Sequence, residues 1–310
     1  MRAFLAFLAL ILLTLAAAAT LAWPAYDLLV PQFDVRFHRV ASRVWMLLMA
    51  IGIALLARRL GVADRASLGY GLRRPAFLRE AGLGLALGVA TMLPIVLAMF
   101  ALGLRALRPD VALSASLFLK LAGAGLGTGL TVALIEETFL RGAMHSAVQR
   151  ESGPAVAIAL IAPLYAATHF LASYRIPPEQ LGPGSGFDLL AGSLAAFGHP
   201  LSIVDAFICL AAVGVLLGLV RTLTGNIAAC IGLHAGWVWV ISVVRESSHP
   251  IDTHPARWLV SAFDGVVGWM VLGWCGVIGA VLYRFYRARE RSTPRTRQTW
   301  HHPPSPREEK

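Results

Sequence analysis

The chain has 310 residues, of which 57% are hydrophobic and only 14% charged, and its mean hydropathy is +0.67; a soluble domain carries about a quarter of its residues charged. The formal charge of +10 is placed mainly between and after apolar blocks: Arg58, Arg59, Arg65, Arg73, Arg74 and Arg79, then Arg284, Arg287, Arg289, Arg291, Arg295 and Arg297. That is the pattern of cytoplasmic anchoring and contact with anionic lipid, with no nucleic acid as partner.

The first apolar block, Ala3 to Trp23, ends in alanines that offer small-residue cleavage sites, yet it is longer than a signal-peptide core and reads as a retained span. A shorter block, Arg43 to Ala57, stops at Arg58-Arg59, and the mixed, basic stretch Gly61 to Glu80 is suited to the membrane surface. Further blocks follow at Ala81–Leu104, Leu117–Val148, Ala155–Ala172, Ile203–Val220, Ile227–Val244 and Gly265–Tyr283. A spanning helix needs roughly 20 apolar residues, so the expected fold is all-α, a polytopic transmembrane helical bundle of about eight spans. Three regions follow: N-terminal spans with a basic interfacial segment over 1–80, a core over 81–246, and a last span with a disordered basic tail over 247–310. Disorder is expected from Ala288 on, where Arg, Pro and Thr dominate.

Orientation follows from charge. The basic stretches after the second and eighth spans belong on the cytoplasmic side, and the six spans between them allow both to lie there. Both termini are then inside, and the stretches Ser173–Ser202 and Arg245–Asp264 outside. The heavy excess of Arg over Lys points to a GC-rich bacterial genome, hence to an inner-membrane protein. Gly123, Gly125, Gly127 and Gly129 in the fourth block, and Gly84 and Gly88 in the third, read as close helix-packing positions. Cys209, Cys230 and Cys275 lie in apolar stretches without CxxC spacing and read as small buried hydrophobes.

Chemistry concentrates in Leu134-Ile-Glu136-Glu137-Thr-Phe-Leu-Arg141-Gly142. Each ionised group at a helix centre costs about 2.5–3.5 kcal/mol on insertion scales, which makes such residues functional suspects. Glu137 and Arg141, four apart, can pair on one helix face. Glu136 points elsewhere and stays available as a general base. His169 in the fifth block and His234 in the seventh lie at similar depth. Their convergence with the glutamates weakens the ordinary reading of each as a lone core histidine. His145 reads as support for the Arg141 face, Lys120 as a snorkelling residue, and Asp205 and Asp264 as helix-start carboxylates. His199, His249 and His254 read as loop residues, and His301-His302 as part of the tail.

The set Glu136-Glu137-x-x-x-Arg141, Tyr165-x-x-x-His169 and a later His234 resembles the CPBP intramembrane proteases, which include the CAAX prenyl endopeptidases and their bacterial relatives. The resemblance spans roughly Tyr70 to Val244. It implies an endopeptidase in which Glu136 activates a water, His169 helps to hold it, and His234 stabilises the oxyanion. Glu137, Arg141 and Tyr165 would support them. The implied substrate is a membrane-associated protein or peptide presented at the cytoplasmic half of the lipid bilayer, and not a prenylated CAAX protein if the source is bacterial. Two departures stand out: Tyr165 where the family commonly has Phe, and Val238 where it commonly has an Asn that donates to the oxyanion. Loss of one such donor can cost about 10²–10³ in rate. Trp237 is the neighbouring donor that could substitute. The family is glutamate-dependent, which implies no metal and no cofactor. Two His and one Glu also make a catalytic zinc set, so zinc is the alternative; a catalytically impaired scaffold or immunity-type relative is the other.

Overall fold

The computed structural model describes residues 1–109, 114–171 and 174–292. Its helices are α1 (Arg2–Leu29), α2 (Phe37–Arg59), α3 (Arg74–Ala101), α4 (Ala115–Glu137), α5 (His145–Ser152), α6 (Pro154–Phe170), α7 (Ser185–Ala195), α8 (Val204–Thr224), α9 (Ala228–Ser247) and α10 (Trp269–Ser292). Among the described residues the strands are β1 (Arg105–Leu107) and β2 (Ser248–Pro250), paired antiparallel. A π-helical segment, Thr138–Met144, joins α4 to α5, so that Ala115–Ser152 is one continuous helical run.

Among the described residues, seven helical runs are long and apolar enough to cross a membrane. They correspond to seven of the eight apolar blocks; the remaining one, the fifth, is α6, apolar but only 17 residues long, or about 25 Å at 1.5 Å per residue. The chain is an all-α polytopic membrane bundle.

Local chemistry sets several boundaries. Ser114 caps α4 by accepting from the Leu117 N–H at 3.2 Å. Gly153, at φ 84°, separates α5 from α6, and Pro154 opens α6 where a missing N–H does no harm.

Four expectations need correction. Gly61–Glu80 is not one surface segment: turns lead into α3, which begins at Arg74. The stretch after Phe170 is not all loop, because it contains α7, docked on α1 at Gly186 and Ala19. Asp264 does not open the last helix, which starts at Trp269; it caps a turn by accepting from the N–H groups of Val266 and Val267. Residues 288–292 are helical and not disordered, while the rest of the expected tail, with His301 and His302, lies outside the described residues.

The centre is α9, packed most extensively against α3 and α4. Small residues make this possible. A Cβ on Gly232 would lie 2.1 Å from the Ala81 carbonyl oxygen, and one on Gly129 2.6 Å from that of Ala235. Of the four alternating glycines on α4, only Gly125 and Gly129 meet α9; Gly123 and Gly127 face open space. The i, i+4 rule of helix contact selects one pair.

The two ends of the bundle differ. At one end the α2–α3 connection meets the α5–α6 junction, Arg150 donating to the Gly61 carbonyl at 2.7 Å. There too Arg289 of α10 grips Glu80 of α3 through two bonds of 2.9 Å. At the other end, Arg105 is buried beside the small β-pair and donates to the carbonyls of Gly265 and Ser248.

Candidate active site

Glu137 ends α4 with its side chain wholly buried. Its Oε1 accepts from Arg141 Nη1 at 2.9 Å and from His234 Nδ1 at 2.8 Å. Arg141 is the i+4 partner expected from the sequence. His234 comes from α9, which packs closely on α4 where Gly129 meets the Ala235 carbonyl. A carboxylate oxygen only accepts, so His234 donates through Nδ1–H, and in the neutral ring Nε2 is the bare nitrogen. That Nε2 lies 4.0 Å from Glu136 Oε2.

Glu136 contrasts with its neighbour. Its side chain is 32% exposed where that of Glu137 is 0%, and it accepts no bond comparable to those at Glu137 Oε1, the buried Oε2 of each being without a hydrogen-bond partner among the described residues. One carboxylate is thus consumed by structure while the other faces a histidine nitrogen across a gap.

Arg141 is held three ways: by Glu137, by the Gly214 carbonyl of α8 at 3.3 Å from Nη2, and by the Tyr165 ring 4.6 Å from its guanidinium carbon. Desolvated cation–π contacts of this kind can reach about 2 kcal/mol. Tyr165 is buried at the hub, its ring centroid 4.6 Å from that of His169 and 6.0 Å from that of His234, both edge-on. His169 donates Nδ1–H to its own helix, at the Tyr165 carbonyl, 2.8 Å away. It joins the cluster through Tyr165; no hydrogen bond or ion pair links it to Glu136 or His234 among the described residues. His145, four residues after Arg141, is buried, with its Nε2 3.5 Å from Thr222 Oγ1.

Among the described residues no three His, Cys, Asp or Glu side chains are grouped so as to hold a metal ion. The cysteines are free and buried.

Val238 stands one turn beyond His234 as a half-buried aliphatic. Trp237 does not replace the missing amide donor, because its indole N–H is spent on Thr91 Oγ1 at 3.0 Å.

Three contributors carry no signal in the sequence beyond ordinary loop or helix residues. Tyr70 places its hydroxyl 2.5 Å from Thr138 Oγ1, beside the glutamates. Gly214 offers a carbonyl to Arg141, and Arg221 of α8 donates to the carbonyl of Arg141 at 2.9 Å.

Fold and site together define a polytopic membrane protein with a carboxylate–histidine cluster buried between its helices. Residues 118–240 match the family model of the type II CAAX prenyl endopeptidases, Rce1-like. This segment holds Glu136, Glu137, Arg141, Tyr165, His169 and His234, and over it the match agrees with the CPBP resemblance. No curated protein matches the chain, and no solved structure does.

Proposed function

We propose that the chain is a glutamic-type intramembrane endopeptidase acting on membrane-associated proteins or peptides, without a metal or other cofactor. The carrying observation is the 4.0 Å approach of Glu136 Oε2 to His234 Nε2. Two acceptors at that separation suit a water that donates a hydrogen to each, leaving its lone pair for a peptide carbonyl. Glu137 supports this by fixing the ring of His234, as an orienting carboxylate does for a catalytic histidine.

In the reaction, the water oxygen bonds to the scissile carbon while Glu136 takes its proton. The carbonyl π electrons move to the oxygen as an oxyanion. Collapse of the tetrahedral intermediate breaks the C–N bond, and Glu136 returns the proton to the leaving amine. The resemblance gives water-holding to His169 and the oxyanion to His234. The approach of His234 Nε2 to Glu136 supports a place for His234 beside the water as well.

The test is terminal proteomics on cells carrying wild type, Glu136→Gln or His169→Ala at equal membrane levels. Loss of defined cleavage products in Glu136→Gln supports the reading and names the substrate. Products and phenotype identical to wild type would overturn it. A second reading, a scaffold that keeps the architecture without turnover, is favoured by one observation: Val238 supplies no oxyanion donor and Trp237 is committed elsewhere.

A further inference from the structure

Arg221 is 8% exposed in the last turns of α8, and no carboxylate pairs with it among the described residues. A buried cation without an anionic partner costs several kcal/mol, so its hydrogen bonds indicate what it holds. Nε donates to the Arg141 carbonyl at 2.9 Å, and Nη2 donates to Ser146 Oγ at 3.2 Å and to the Ser67 carbonyl at 3.4 Å. Two of these partners, Arg141 and Ser146, belong to the π-helical segment and the first turn after it; the third belongs to the α2–α3 connection.

That connection lies as a strap across the π-helical segment. Ser146 Oγ donates to the Ser67 carbonyl at 2.5 Å, Ile227 N–H donates to the Gly69 carbonyl at 3.1 Å, and Tyr70 reaches Thr138. Gly142 permits the close approach, since a Cβ there would sit 2.9 Å from the Leu68 carbonyl oxygen. The π-helical segment begins directly after Glu137. Widened turns of this kind gather at functional sites, and this one carries the arginine that braces Glu137.

We propose that Arg221 is a positioning residue for the Glu136–Glu137 pair. It holds the widened turn by its carbonyl and ties the strap of residues 61–73 over it. The proposal rests on the protease reading for its consequence in catalysis, but the tie between strap and turn can be measured without any substrate.

The experiment compares Arg221→Gln, Arg221→Lys and Gly142→Ala with wild type in full-length purified protein and in cells, with exposed Arg59→Gln as control. Hydrogen exchange at the amides of residues 61–73 reads the strap, and Glu136-dependent cleavage products read the site. Arg221→Gln is expected to speed strap exchange and to lower product yield roughly 10–100-fold, the scale of a small misplacement at a reacting centre. Arg221→Lys restores part of both. Gly142→Ala reproduces both effects with Arg221 intact, so the proposal stays testable if Arg221→Gln fails to accumulate. Unchanged strap exchange in Arg221→Lys and Gly142→Ala overturns the proposal, as does faster exchange with full product yield. If wild type yields no Glu136-dependent product, the protease reading fails, and strap exchange alone still decides whether Arg221 ties the strap.

Discussion

Glu136 and Glu137 are adjacent in the chain, yet their loss has different consequences. Glu137 accepts from Arg141 and His234 in a fully buried position. Removing one partner of a buried ion pair leaves an uncompensated charge and costs about 3–5 kcal/mol. Glu137→Ala is therefore expected to lower stability by that order in thermal unfolding of the detergent-solubilised protein. Glu136→Gln, with no hydrogen bond to lose at Oε2, is expected to unfold near the wild-type temperature while losing cleavage. Equal destabilisation by the two would contradict the division of labour. Val238→Asn adds an amide one turn beyond His234. If the missing oxyanion donor limits turnover, product yield is expected to rise about tenfold or more, toward the cost of one such donor; an unchanged yield would show that Val238 is not the limiting departure. At this scale much was legible. Ionisable residues within apolar blocks are conspicuous because lipid penalises them, and the four-residue spacing gave the Glu137–Arg141 pair. The His234–Glu137 bond was not legible, since it depends on how closely α9 approaches α4.

Elements were legible to the extent that hydropathy records them. The eight apolar blocks became helices because each stretch must satisfy its backbone internally in lipid. The π-helical segment left no trace, because one extra residue in a turn changes neither composition nor apolar length. Arg221 was missed for a related reason: an arginine near a helix end reads as a surface anchor, and only the fold buries it against the turn. Glycines were legible as packing positions but not individually. Gly129→Ala and Gly232→Ala force a methyl onto a neighbouring backbone oxygen at 2.6 and 2.1 Å. Overpacking of this kind typically costs about 1–3 kcal/mol, so both are expected to lower thermal stability and cleavage together. Gly123→Ala and Gly127→Ala meet open space and are expected to do neither. Similar losses at all four positions would mean that α4 packs on a second face as well.

For the molecule as a whole, the open matter is which end faces the cytoplasm, and charge placement argues for one answer. The bonds of Arg150 to Gly61 and of Arg289 to Glu80 gather the α2–α3 connection, the α5–α6 junction and the end of α10 at one end. That end carries Arg58, Arg59, Arg65, Arg73, Arg74, Arg79, Arg150, Arg284, Arg287 and Arg289 beside Asp64, Glu80 and Glu151, whereas the β-pair end has fewer arginines, among them Arg105, Arg108, Arg245 and Arg257, beside Glu246, Asp252 and Asp264. On the positive-inside rule the arginine-rich end is expected in the cytoplasm. His234 lies six residues after the start of α9 at that end, a depth of about 9 Å at 1.5 Å per residue, so the Glu136–His234 pair is expected in the cytoplasmic half. Single cysteines at exposed positions test this directly, and the three native cysteines are buried, so their background labelling is low. In intact cells, a membrane-impermeant thiol reagent is expected to label Gln180→Cys and Thr253→Cys but to spare Ala63→Cys, which becomes reactive only in inverted vesicles. The opposite pattern would turn the chain over and move the site to the outer half, and with it the compartment from which a substrate must arrive. Labelling of all three from one side would mean that the two ends of the bundle do not lie on opposite faces of the membrane.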